Sequence, residues 1–194
     1  GFHTPNHRWA IASLLAICGK FYNEPDLVKA ADIYLNEGID CNADGEYSEK
    51  SAGNYNGVNN DAMLLLSQAF DDPGYEQHVI RNLHMMLTYW EPDDSIFTAN
   101  STRFDKDRLV FPEGYYWSYL TLGIRYEIPE FIAMANYCFA VIRDRNLMAP
   151  DFLALYLCHP DHIDYEASIC ATPTQYKAFY ADSGIARVRK GGWT

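Results

Sequence analysis

The stretch Trp9-Ala10-Ile11-Ala12-Ser13-Leu14-Leu15-Ala16-Ile17-Cys18-Gly19-Lys20-Phe21-Tyr22, followed by Asn23-Glu24-Pro25, decides the fold class. Ile11, Leu14, Leu15, Cys18 and Phe21 recur at helical spacing and predict an amphipathic stripe. Asn23 to Pro25 reads as a turn. Val28, Ala31, Tyr34 and Leu35 then mark one side of a second helix that runs to about Glu37, with Gly38 as its stop. Two helices joined by a tight turn form a helical hairpin.

The same layout recurs downstream. Val58, Ala62, Leu65, Leu66 and Ala69 predict a third helix. Beyond the Pro73-Gly74 turn, a fourth carries Tyr75, Val79, Leu83, Met86, Leu87 and Trp90. A fifth begins near Tyr115. The sixth spans Pro129 to Asn146, with Phe131, Ala135, Cys138, Phe139 and Ile142 at helical spacing and Pro129 in its first turn. A short helix is expected from Asp151 to Cys158. Between the hairpins lie two polar segments, Cys41 to Asn60 and Glu91 to Pro112, read as long ordered loops; loops of that length in a compact domain are commonly functional. Asp71-Asp72-Pro73-Gly74-Tyr75-Glu76 superficially resembles the acidic motif of helical terpene synthases, but Pro-Gly makes a turn of it, so the acids end one helix and begin the next.

The fold class expected is all-α: stacked helical hairpins with a short β-strand segment at the C-terminus. That strand is Ser183 to Arg189, where apolar and polar residues alternate. With no partner strand evident, residues 181–194 read as the start of a β-sheet domain that this chain does not contain, and residues 1–180 as the helical domain.

Composition narrows the function classes. The chain has 194 residues, a formal charge of −11 and 15 tyrosines. An acidic surface repels nucleic acid, whose binding needs clustered Lys and Arg. No apolar run approaches the roughly 20 residues of a membrane span, and no signal peptide is evident. The same charge sits awkwardly with an anionic substrate unless a local cationic cleft exists. Tyr and Trp suit sugar rings as well as core packing. Five cysteines at wide spacing give no disulfide framework; Cys18 and Cys138 fall on apolar helical faces, as buried thiols do. Pro5 separates His3 from His7, and Cys158, His159, His162 and Cys170 are spaced too loosely for a zinc motif, so neither a metal nor another cofactor is expected.

Three segments resemble the heparinase II/III-type polysaccharide lyases. Thr4-Pro5-Asn6-His7-Arg8-Trp9 resembles the Asn-containing segment that opens a helix in those enzymes. Asp44-Gly45-Glu46-Tyr47-Ser48-Glu49-Lys50-Ser51, followed by Gly53-Asn54-Tyr55, is similar to their Asp-Gly loop, which ends in a functional Tyr. Asn100-Ser101-Thr102-Arg103 looks like the Arg-bearing loop of the same cleft, and Asp182-Ser183-Gly184-Ile185 resembles the first strand after the helices. Where some members carry a His in the Asp-Gly loop, this chain has Lys50, and Tyr55 is offset.

The resemblance implies a partial (α/α) toroid, the later part of a longer one, with an adjoining antiparallel β-sheet domain. It implies secretion or a periplasmic site, and β-elimination on a uronic-acid polysaccharide. That reaction removes the C5 proton beside a carboxylate and expels the 4-oxygen. The carboxylate must be neutralised as the enediolate develops, and a base and an acid must move the protons. A Tyr ordinarily titrates near 10, so its use as a base requires nearby positive charge. The catalytic candidates are Asn6, His7 and Tyr55, with the base left open between His7 and Tyr55. Arg103, Asn54, Glu49 and Trp9 are the candidates for substrate binding, with Arg103 assisting neutralisation and Glu49 orienting His7 or Arg103.

Each candidate also has an ordinary structural reading. Asn6 suits a helix cap, His7 a helix surface, and Arg103 a surface pair with Asp105 or Asp107. Two other functions fit the same fold class. One is a glycoside hydrolase using carboxylates among Asp44, Glu49 and Asp61. The other is a non-catalytic carbohydrate-binding helical module.

Overall fold

The computed structural model describes residues 4–148, 156–157, 159–162 and 173–194. Six α-helices are present among them: α1 (Pro5–Phe21), α2 (Pro25–Leu35), α3 (Tyr55–Phe70), α4 (Gly74–Met86), α5 (Tyr116–Arg125) and α6 (Pro129–Asp144). A 3₁₀ turn, Pro112–Tyr115, leads into α5. The chain ends in an antiparallel pair, β1 (Gln175–Tyr180) and β2 (Ile185–Lys190). The mostly helical architecture expected from the sequence is present. The helix placed at Asp151 to Cys158 lies largely outside the described residues. No described helix is long and apolar enough to cross a membrane.

Consecutive helices pack as pairs, α1 on α2, α3 on α4 and α5 on α6, and α1 also packs along α3. Proline at the first position starts α1, α2 and α6, where its missing N–H would be unpaired in any case. The acids of the 71–72 pair do what the turn predicts. Asp71 closes α3 in the left-handed conformation, and the Asp72 carboxylate accepts the N–H of Gly74 at 2.8 Å at the head of α4.

The buried face of α1 is not the stripe of large residues. Leu14 is 63% exposed and Phe21 79%, while Trp9, Ala12, Ser13, Ala16 and Gly19 are buried. Small side chains let α1 approach its neighbours closely: a Cβ built on Gly19 would stand 2.7 Å from Cγ2 of Val28. On α3 the expected stripe holds in part. Ala62, Met63, Leu66 and Ala69 are buried, whereas Val58 and Leu65 are exposed. On α6 the expected apolar positions are the buried ones, save the exposed Phe139; on α4 Val79, Leu83 and Met86 are buried and Tyr75 is half-buried, while the expected Leu87 and Trp90 lie beyond its end. Cys138 is fully buried and Cys18 half-buried; both are free thiols, as is Cys41.

The first polar segment is shorter than the sequence reading made it, because α3 starts at Tyr55 and takes its last six residues. Asn56, Asn59 and Asn60, which made that stretch look like loop, are buried in the first turns of α3. Asn60 accepts the Tyr47 hydroxyl at 2.8 Å and donates to Asn82 at 3.1 Å, and Asn82 donates to the Gly45 carbonyl at 2.9 Å. This buried network clamps the Asp-Gly loop onto α3 and α4.

The strand at the C-terminus is not alone. Ile185–Lys190 pairs in register with Gln175–Tyr180, Gln175 opposite Lys190 and Tyr180 opposite Ile185. The expected division at 180/181 therefore falls at the turn of a hairpin. That hairpin rests on the helical body with its polar side inward. Val188 is 52% exposed, while Arg187 is 8% exposed and donates to the Thr88 carbonyl at 3.0 Å and to Glu91 at 2.8 Å. Its guanidinium also covers the Phe97 ring at 4.3 Å. Tyr176 donates to the Thr88 carbonyl, and Ser183 in the turn donates its N–H to Asp44 at 3.0 Å.

Gly45 tests the clamp. Its φ is +97°, and a Cβ there would lie 2.4 Å from the carbonyl of Arg81. Gly45→Ala should lower the unfolding free energy by about 1–3 kcal/mol in a denaturant titration, since strain and a backbone clash add. An unchanged midpoint would show that the loop is not held against α4.

Candidate functional site

The polar segments meet the start of α1 around one buried carboxylate, that of Glu49, which is 5% exposed. Its Oε2 accepts the backbone N–H of Asn6 at 3.1 Å and the side-chain amide of Asn59 at 3.5 Å. The Glu49 Oε1 faces Nη2 of Arg103 at 3.7 Å, and its backbone carbonyl accepts the Thr102 hydroxyl at 2.7 Å. Burial pushes the Glu49 carboxyl upward. The bonds from Asn59 and Asn6, then the charges of Arg103 and His7, pull it back.

Arg103 reaches the same place from the second loop. Its guanidinium carbon sits 4.9 Å from the centre of the Tyr55 ring, within cation–π range. Phe104 meets the Tyr55 ring edge-on, with centroids 5.9 Å apart. The phenol is thus held between a cation and an aromatic ring.

The two loops are joined underneath by Asp105, which is 1% exposed. Its carboxylate accepts the hydroxyls of Ser51 at 2.8 Å and Ser101 at 2.6 Å, and the N–H of Gly53 at 2.9 Å. Ser51 in turn accepts the N–H of Tyr55 at 3.2 Å at the head of α3, and Ser101 accepts the N–H of Arg103 at 3.1 Å. Tyr55 and Arg103 are each one hydroxyl removed from the same buried carboxylate.

Glu49, Tyr55 and Arg103 therefore converge, joined by the backbone N–H of Asn6, whose own buried side chain is turned to Thr4. His7 is exposed beside them and close enough for its charge to act on Glu49. Asn54 is half-buried at the N-cap of α3, its N–H donated to the Ser51 carbonyl at 3.3 Å.

Trp9 does not join the group. It is fully buried and packs on Tyr47 with centroids 5.5 Å apart, so it is a core residue and not a sugar platform. Asn6 is not the helix cap: Thr4 holds that position, and its hydroxyl donates to the Asn6 side-chain oxygen at 2.7 Å. Arg103 does not pair with Asp105 on the surface; it turns to Glu49, and Asp105 is buried beneath the loops.

Asp105, Thr102 and Asn59 escaped the sequence reading. The available signal was the density of Ser, Thr and Asp in both loops, with Asn at helical spacing after Tyr55.

The carboxylates weighed for a hydrolase have different surroundings. Asp44 accepts the Ser183 N–H, Glu49 is enclosed as described, and Asp61 lines a separate cavity. His159 and His162 stand 5.3 Å apart beside Trp117, while Cys158 and Cys170 lie outside the described residues, as does His3. Among the described residues no group of three or more His, Cys, Asp or Glu side chains is placed to hold a metal ion.

No protein-family model, curated protein or solved structure matches this chain.

Asp105 can be removed without touching the exposed groups. Asp105→Ala leaves two buried hydroxyls and an N–H without their charged acceptor, and should cost about 2–4 kcal/mol of stability. Denaturant unfolding of the variant checks this, and a wild-type midpoint would contradict the assigned role.

Proposed function

We propose that the chain is part of an α/α-toroid polysaccharide lyase that cleaves a uronic-acid-containing chain by β-elimination. The observation that carries the reading is the contact among Glu49, Tyr55 and Arg103 with the head of α1. These residues come from segments far apart in sequence, and they are the candidates that the resemblance singled out.

The chemistry follows from the charges. A uronate carboxylate entering beside Arg103 meets a local positive charge that the acidic chain as a whole lacks. The Arg103–Glu49 contact is long, at 3.7 Å, and Glu49 Oε1 has no hydrogen-bond donor among the described residues. The guanidinium can thus turn part of its charge to a substrate carboxylate while Glu49 keeps it in place.

As the C5 proton leaves, negative charge grows on that carboxylate. Donors already fixed in position stabilise the growing charge without reorganising. Tyr55 as its phenolate, or His7 as its neutral imidazole, takes the C5 proton, and a proton is returned to the departing 4-oxygen. The Arg103 guanidinium lies over the Tyr55 ring, 4.9 Å from its centre. A polysaccharide substrate puts the site of action in a secreted or periplasmic setting.

The test is incubation with a panel of uronate polymers, following the ultraviolet absorbance of the new C4–C5 double bond. Tyr55→Phe should lower kcat by about 100-fold or more, and Arg103→Ala should lower kcat/KM by about 100–1000-fold. Saccharide release with no unsaturated product would point to hydrolysis and sink the reading, as would full turnover by both variants.

A further inference from the structure

A concave site lies away from Glu49, walled by α3, the head of α4, and α5 with its leading 3₁₀ turn. It is a cavity of about 780 Å³, within the range that small-molecule sites occupy. Four carboxylates line it, Asp61, Asp71, Glu76 and Glu113, against one guanidinium, Arg125.

That guanidinium is already spent. Glu76, 2% exposed, holds it in an ion pair and also accepts the hydroxyls of Ser67 at 2.7 Å and Tyr126 at 2.6 Å. Asp61 and Glu113 have no cationic partner among the described residues.

Two further observations mark the cavity as a binding site and not merely an acidic patch. Thr121, 4% exposed, lines it with an Oγ1 that has no hydrogen-bond partner among the described residues, and Glu113 Oε2 is likewise buried without a donor among them. Buried polar atoms without partners are uncommon in folded proteins and call for a ligand, an ion or water. Trp117 adds an aromatic wall, its ring fixed by a stack on His162 with centroids 5.1 Å apart.

We propose that this cavity binds an organic ammonium ligand, its charged nitrogen placed between Asp61 and Glu113 and its body against Trp117. Unpaired carboxylates supply the charge, the indole supplies a cation–π surface, and the Thr121 hydroxyl supplies a neutral hydrogen bond. The electrostatics agree with the geometry. Partial burial raises the Glu113 carboxyl. An incoming cation relieves that penalty. The proposal is independent of the β-elimination reading, because it uses none of the residues around Glu49.

Amino sugars and polyamines share this chemistry, and titration calorimetry separates them. The probes are the β-1,4-linked dimer of glucosamine, its N-acetylated counterpart, and spermidine. The glucosamine dimer, spermidine or both should bind, and the neutral N-acetylated dimer should bind at least tenfold more weakly. Asp61→Asn and Glu113→Gln, which preserve shape and lie on different elements, should each weaken ammonium binding at least tenfold with an unchanged helical circular dichroism spectrum. The proposal is overturned if no ammonium probe binds, if the acetylated dimer binds equally well, or if both variants bind as the wild type does.

Discussion

Burying a carboxylate is unfavourable unless donors surround it, and two polar loops here are organised by that requirement. Asp105 and Glu49 are each almost fully buried, and both are met by groups drawn from across the fold. Asp105 gathers Ser51, Gly53 and Ser101. Glu49 gathers the head of α1, Asn59 from α3, and Arg103 from the second loop. Removing a charge from water costs several kcal/mol if it is unpaired, so neither loop can leave without exposing the other to that penalty. The exposed His7 and the half-buried Tyr55 and Arg103 are set on this frame.

The frame also bears on the conflict between an acidic protein and an anionic substrate. Net charge describes the far field, and salt screens it within about 10 Å. At the Glu49 cluster the carboxylates are turned inward, while Arg103 and His7 remain at or near the surface. The cavity on α3 has the reverse arrangement, with its one guanidinium tied to Glu76 and two carboxylates left uncompensated.

The helices were legible from their punctuation: Pro25, Pro73-Gly74 and Pro129 sit where helices begin, and Gly38 just beyond where one ends. The faces they bury were less so. Along α1, Ile11 and Leu14 carry the stronger hydrophobic signal, yet Trp9, Ala12 and Ala16 are buried, because close helix packing rewards small side chains that a hydropathy reading undervalues. Asn56, Asn59 and Asn60 looked like loop residues because polarity alone does not show that their amides will be satisfied in the interior. The strand partner at 175–180 was missed because its inward side is made of tyrosines, and that of β2 includes an arginine. At the site, Asn6, Glu49, Tyr55 and Arg103 were found through motif-like segments. Asp105 was not, since a nearby Arg103 offered a plausible local partner and long-range serine hydroxyls leave no trace in spacing. Trp9 was assigned to a sugar because its residue type suits one, although its place on the inner side of α1 makes it core.

The central claim is that a buried carboxylate locks the two loops together, and the backbone of the first loop reports on it. The N–H of Gly53 binds Asp105 directly, and the N–H of Tyr55 binds Ser51, which Asp105 holds. Residue-resolved amide hydrogen exchange on the wild-type chain should find both amides protected to the degree of neighbouring α3 amides. Exchange at the rate of an unstructured loop would contradict the account, because Tyr55 and Arg103 would then have nothing to hold them together.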